Sequence, residues 1–289
     1  MNIIFQINGG IGKSVMATAV CENIKKQYPK DKLIVITAYP EVFLNNPNVD
    51  RCLGMGTFNY FYPDYIKDKD VKLMLQEPYL EVAHVQQKEH LVETWCRMND
   101  IECHTVKPSM FFTEREINFH SQKYASDKPI LFMQTNGGAA EQEQKYSWAR
   151  DIPTHIVDQV VRKYSDEYTI LHVRREDQIG YNNTIPVHDS IRSIAIGMMR
   201  SSKRLLMDSF AHHVATAMEL PSTVLWIVNS PVVFGYDMHT NILASEPNRP
   251  YDFRHSYLQP YNITGDILEF PYNSEFDIFN IEDIYKALN

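Results

Sequence analysis

Asn2–Asn8 is a short apolar, β-branched run of the kind a buried strand shows, and the pattern then lengthens to a helical period over Ser14–Gln27 before Leu33–Thr37 turns apolar again. Strand, helix and strand in that order predict a parallel βαβ start. Further on, Glu81–Asn99 reads as a helix and Glu102–Val106 as a strand. The polar stretch Ser121–Lys128, closed by Pro129, marks a boundary between a unit at 1–125 and a unit at 126–289. The alternation then restarts, with strand Ile130–Gln134, helix Pro153–Tyr164, strand Tyr168–Val173, helix Ser190–Met199 and strand Arg204–Met207. A helix capped by Ser209 and stopped by Pro221 follows, then strand Thr223–Val228 and a closing amphipathic helix Ile278–Leu288. The pattern predicts an α/β fold of two doubly wound, Rossmann-like units facing a cleft, with ligand loops at the strand ends.

Composition narrows the class. At 289 residues with 44% hydrophobic and 22% charged positions, the chain is globular and long enough for two domains. No apolar run approaches the ~20 residues a membrane-spanning helix needs, and the N-terminus reads as a first strand, so a cytoplasmic protein is expected, in the host cytoplasm if it is viral. Cys21, Cys52, Cys96 and Cys103 form no Cys-x-x-Cys pair and read as reduced thiols; no metal site is expected. The net charge of −8 argues against broad attraction to nucleic acid or anionic membrane. It is uneven: residues 1–125 carry 14 basic against 15 acidic groups, and the remainder 14 against 21.

Candidate chemistry gathers in two places. After the strand ending at Met207, Asp208 and Ser209 lead into a helix carrying His212, His213, Ala215 and Ala217, so free backbone N–H groups and a helix dipole together offer a phosphate site. Near the N-terminus, Asn8-Gly9-Gly10-Ile11-Gly12-Lys13-Ser14 lets a ligand approach the backbone closely. One reading of that turn is a P-loop resembling the ParA/MinD-type ATPases. The strict pattern fails, because Ile7 stands at its first glycine and Asn8 at the leading lysine.

The other reading spans most of the chain. Gly12 to Pro29 with Lys25-Lys26-Gln27-Tyr28-Pro29, then Asn46-Pro47-Asn48-Val49-Asp50, then strand 130–134 with Thr135-Asn136-Gly137-Gly138, Lys145 and Trp148, occur in a telling order. The series ends in Asp208-Ser209 through His213, Ala215, Ala217 and Pro221. It resembles the ADP-heptose:lipopolysaccharide heptosyltransferases, inverting glycosyltransferases of GT-B fold. Phe210 departs from that pattern, which has glycine there, and Lys13 stands where aspartate is common.

The resemblance implies a donor site for a nucleotide-diphosphate sugar, used as co-substrate with no separate cofactor or metal. Gly10, Gly12, Thr135, Asn136, Lys145, Glu176, Asp208, Ser209 and His213 are its expected residues. Adjacent histidines on a helix point about 100° apart, so one ligand engages one of them, and the match selects His213. An acceptor hydroxyl needs a general base; Asp64 and His84 are candidates, with Lys13 as a phosphate or oxyanion partner. Asp68-Lys69-Asp70 reads as a solvated loop. Phe58-Asn59-Tyr60-Phe61-Tyr62, followed by lysines, reads either as a covering loop or as an acceptor platform built on Tyr60, Phe61 and Tyr62. A glycan and a hydroxymethylated pyrimidine in phage DNA both stay open as acceptors, as does a catalytically degenerate nucleotide-binding module. The oligomeric state is not legible.

Overall fold

The computed structural model describes residues 1–137, 148–246 and 270–289. The first sheet is built from β1 (Asn2–Ile7), β2 (Lys32–Thr37), β3 (Arg51–Gly54) and β4 (Val71–Met74), all parallel in the order β3-β2-β1-β4. Helix α1 (Ile11–Gln27) links β1 to β2. Three further helices, α2 (Val82–Val85), α3 (Leu91–Met98) and α4 (Glu114–Ser121), carry the chain to the second sheet.

That sheet comprises β5 (Ile130–Gln134), β6 (Thr169–Val173), β7 (Thr184–Val187), β8 (Lys203–Met207), β9 (Thr223–Trp226) and β10 (Thr240–Leu243), again parallel, in the order β10-β9-β8-β5-β6-β7. Its connections include α5 (Thr154–Tyr164), α6 (Ile191–Met199), α7 (Phe210–Ala217) and the single turn α8 (Pro231–Phe234). Helix α9 (Ile281–Leu288) closes over β8, β9 and β10 beside α5. Tyr164 and Thr223 hydrogen-bond its last residues, to Asn289 Oδ1 at 3.2 Å and Ala287 O at 3.2 Å.

Strand order is the functional point. Each sheet reverses its direction of winding once, between β1 and β4 in the first and between β5 and β8 in the second. Ligands of open α/β sheets bind in the crevice left at such a switch point, at the carboxyl ends of the strands. Helices α1 and α7, which start at those two crevices, pack directly on each other. A single buried core runs through this layer, from Ile3, Phe5 and Val15 to Val214, Val224 and Trp226. Arg192 of α6, 4% exposed, ties the layer together. It donates to both carboxylate oxygens of Glu116 at 2.5 and 2.7 Å and to the carbonyls of Glu41 at 3.1 Å and Phe111 at 2.6 Å.

Two predicted elements differ. The helix expected over Glu81–Asn99 is interrupted: Gln87 has a φ of 53°, and His90 starts a new helix through a capping box with Glu93. Glu102–Val106 is no strand, because Asn23 of α1 takes its backbone hydrogen bonds. The Asn23 amide oxygen accepts from His104 N at 2.9 Å and Thr105 N at 3.1 Å, and its nitrogen donates to Thr105 O at 2.8 Å.

Candidate functional site

At the second switch point β5 ends in Gln134, whose side-chain amide spans the gap to the start of α7. It donates to Ser209 Oγ at 3.0 Å and accepts from Ala211 N at 3.2 Å. One of the helix N–H groups expected to face a ligand is therefore already satisfied inside the protein. Thr135 and Asn136 begin a polar chain. The Thr135 hydroxyl donates to Asn136 Oδ1 at 2.9 Å and meets His172 Nε2 at 2.8 Å. Asp151 accepts from Asn136 Nδ2 at 2.9 Å and Gly137 N at 2.8 Å, while Gln178 donates to Gly137 O at 2.7 Å.

Asp208 is buried, and Asp151 and Arg150 are half-buried. Burial raises the Asp208 carboxyl above the usual range, against the pull of the nearby Arg150 charge and a hydrogen bond from Asn229. Asp151 is raised in the same way, opposed by its bonds from Gly137 and Asn136 and by the charges of Arg150 and Arg175. Arg150 thus stands beside both acids, and its guanidinium comes within 3.4 Å of a Cβ built on Gly137. The Arg150 charge and the amino end of α7 meet at this crevice, a cation and a helix dipole of the sort a diphosphate requires, while Gly137 N, Ala211 N, Ser209 N and the Asn136 amide are already bonded within the protein.

The histidines of α7 are enclosed. His212 is 0% exposed, accepts from Ser209 N at 3.3 Å through Nδ1, and places Nε2 3.0 Å from Phe234 O. His213 is 4% exposed and pairs its Nδ1 with the Tyr236 hydroxyl at 2.9 Å. A Cβ on Gly12 would sit 3.1 Å from the His213 ring and 3.4 Å from Phe210 Cα. In this arrangement Gly12 and His213 touch across the packing of α1 on α7, and His213 is enclosed there. Gly12→Val is expected to cost about 2 kcal/mol by overpacking this contact, read as a lower midpoint in urea unfolding with an unchanged slope.

At the first switch point Gly9 takes a φ of 109°, a conformation that favours glycine, and Gly10 caps α1 with open space around its α-carbon. Lys13 is buried and forms an ion pair with Glu77, which follows β4; its ammonium lies 4.5 Å from the Tyr79 ring centre and 5.3 Å from that of Trp95. Burial lowers the Lys13 pKa, and Glu77 opposes that shift. His84 stacks on Tyr79 at 4.9 Å and edges onto Phe234 at 5.7 Å. Burial and then the Lys13 charge bring its pKa down to about 4, so it is neutral at pH 7.

The remaining candidates are scattered. Asp64 lies exposed on the turn Tyr62–Ile66 and touches neither switch point through any described bond. Tyr60 and Tyr62 expose their rings, 38% and 62%, whereas Phe61 packs on Tyr65 at 5.3 Å. Glu176 is exposed in the turn after β6, and Lys145 lies outside the described residues. Asp68-Lys69-Asp70 is a turn, with Asp68 at a φ of 55°. Among the described residues no group of three or more His, Cys, Asp or Glu is placed to hold a metal, and no helix is long and apolar enough to cross a membrane. A cavity of about 230 Å³ beside β7 and another of about 400 Å³ beside α9 lie away from both crevices.

Sequence reading missed Gln134 as a helix anchor, and also Arg150, Asp151, His172, Asn229 and Glu77. Arg150-Asp151 follows Trp148 directly, a charged pair beside a recognised motif, and is the signal that could have been used.

No protein-family model matches the chain, and no curated protein sequence does so significantly. Solved structures do. A family 9 glycosyl transferase from Veillonella parvula superposes with a TM-score of 0.68 at 14% identity, covering 99% of this chain and 95% of that one. The fold is that of the heptosyltransferases. E. coli ADP-heptose lps heptosyltransferase II aligns with a TM-score of 0.66 at 13% identity, over 85% of this chain and 91% of its own. E. coli heptosyltransferase WaaC, solved with ADP, aligns at 0.56 and 9% identity, over 85% and 94%. The two parallel sheets with their covering helices are the GT-B architecture of these heptosyltransferase-like neighbours.

Proposed function

We propose that the chain is an inverting glycosyltransferase. It moves a sugar from a nucleotide-diphosphate sugar, held at the β5/β8 crevice, to an acceptor hydroxyl brought up to the β1/β4 crevice. The observation that carries this reading is the direct packing of α1 on α7, with Gly12 against His213 and Phe210, which sets the two switch points side by side. Asp208, Ser209, Thr135 and Asn136 form the donor wall. Arg150 and Lys145 supply cations for the departing diphosphate, and the amino end of α7 supplies part of its dipole. Glu176, exposed in the turn after β6, is assigned to the ribose of the nucleotide.

A glycan is the favoured acceptor class. One neighbour is described as an lps heptosyltransferase, and the net charge of −8 disfavours a DNA duplex. Tyr60 and Tyr62 offer exposed rings for stacking on a sugar. The competing ATPase reading loses its phosphate-binding lysine, since Lys13 is committed to Glu77 beneath Tyr79 and Trp95.

A thermal-shift screen with ADP-heptose, ADP-glucose, UDP-glucose and GDP-mannose against ATP–Mg²⁺ tests the reading. One nucleotide sugar is expected to raise Tm at millimolar concentration, with the rise lost in Ser209→Ala combined with Asn136→Ala. Stabilisation by ATP–Mg²⁺ alone, abolished by Lys13→Ala, would replace the reading with an ATPase.

A further inference from the structure

The β1/β4 crevice contains one carboxylate held in an unusual way. Glu77 binds the buried Lys13 ammonium and the Tyr79 backbone N–H, the latter at 3.3 Å, through the same oxygen, Oε1. Its second oxygen, Oε2, accepts no hydrogen bond from any described residue, and the side chain is 25% exposed. Lys13 is only 3% exposed and lies on two aromatic rings, so it cannot swing out to a ligand. A fixed cation thus anchors one oxygen of an otherwise accessible carboxylate, beside the exposed Gly9-Gly10 turn.

We propose that Glu77 is the general base of the transfer, with Lys13 as its positioning residue. The proposal deepens the glycosyltransferase reading and rests on it. The acceptor O–H gives its proton to Glu77 Oε2 as its oxygen bonds to the anomeric carbon. The bond from that carbon to the diphosphate breaks, and the nucleoside diphosphate leaves with the electron pair. Other candidates lack one requirement each. Asp64 stands exposed on a separate turn, and Asp208 is buried on the donor side with Asn229 bonded to it. His84 is 3% exposed and stacked beneath Tyr79. The lysine that replaces the expected aspartate at position 13 therefore brings in a carboxylate from 64 residues away.

The test follows nucleoside diphosphate release from ADP-heptose, ADP-glucose, UDP-glucose and GDP-mannose, with a lipopolysaccharide-derived oligosaccharide as acceptor. Glu77→Gln keeps an acceptor for Tyr79 N and is expected to lower kcat at least 100-fold while the donor-induced Tm shift is unchanged. In Glu77→Ala, added formate restores at least tenfold of the lost rate, which a merely structural carboxylate would not allow. Lys13→Met is expected to lower kcat at least tenfold while the donor KM stays within twofold of wild type. An active wild type with Glu77→Gln within threefold of it overturns the assignment of Glu77 alone. A wild type that releases no nucleoside diphosphate from any of these donors overturns the glycosyltransferase reading together with it.

Discussion

Acidification from pH 7 to pH 5 is expected to destabilise this chain strongly. His84, His90, His172, His212 and His239 are all buried, and desolvation brings each of their pKa values down to about 4; burial also holds His213 well below its ordinary value. Four of them, His90, His212, His213 and His239, share one ring cluster with Tyr236 between the two sheets. An unfolded histidine takes up its proton near pH 6.5, whereas these stay neutral until about pH 4. Between those values the unfolded chain binds more protons, so stability is full above pH 6.5 and drains as pH falls. The loss is about 1.4 kcal/mol per pH unit for each group. The groups act in the same direction, so the fall in stability is expected to be steep. Asp208 and Asp151 work in the opposite direction, since burial raises both. Differential scanning fluorimetry from pH 7.5 to 4.5 should show Tm dropping steeply below 6.5. A flat Tm down to pH 4.5 would mean that the imidazoles are not buried as described.

Arg192→Met carries the second large effect. The guanidinium is nearly fully buried and is shared by Glu116, by two carbonyls from distant segments and by the Phe112 ring at 4.2 Å. Methionine fills much of the volume, yet leaves the Glu116 carboxylate unpaired and the carbonyls of Glu41 and Phe111 without that donor. Removing one partner of such a buried pair costs about 3–5 kcal/mol. For a chain of this size that corresponds to a fall in Tm of roughly 10 °C. Arg192→Lys is expected to recover little, because one ammonium cannot span four acceptors in a fixed plane. Because the clasp joins α6 to α4 and to the segments of Glu41 and Phe111, the variant should also weaken donor binding. Unfolding in urea at pH 7.5 measures the first effect; a loss below 1 kcal/mol would show that Arg192 is not the tie.

The parts of the fold that were legible in the sequence are those with strong local signals. Ile130–Gln134 coincides with β5, and Ser190 and Ser209 stand at the caps of α6 and α7, because apolar runs and capping chemistry act within a few residues. The strands β3, β4, β7 and β10 went unread. Each has four residues and lies at or next to a sheet edge, with polar or helix-averse members such as Arg51, Lys72, Pro186 and Asn241. Their pairing is set by the neighbouring strand, not by their own periodicity. The candidate site divides in the same way. Thr135, Asn136, Asp208 and Ser209 converge because they end two strands that the topology makes neighbours. Glu77 carried no sequence signal, since its meaning comes from Lys13 across the β1/β4 crevice. His213 matched a pattern, yet its surroundings, Gly12 and Tyr236, make it a junction residue.

The central claim is that the crevices exchange a sugar. Its most direct test is to incubate the wild-type chain with each nucleotide sugar and, separately, with ATP–Mg²⁺, and to quantify nucleoside diphosphate and phosphate by mass spectrometry. The account predicts nucleoside diphosphate from one nucleotide sugar, faster with a glycan acceptor present, and no phosphate from ATP. Phosphate released from ATP, with every nucleotide sugar left intact, would contradict it.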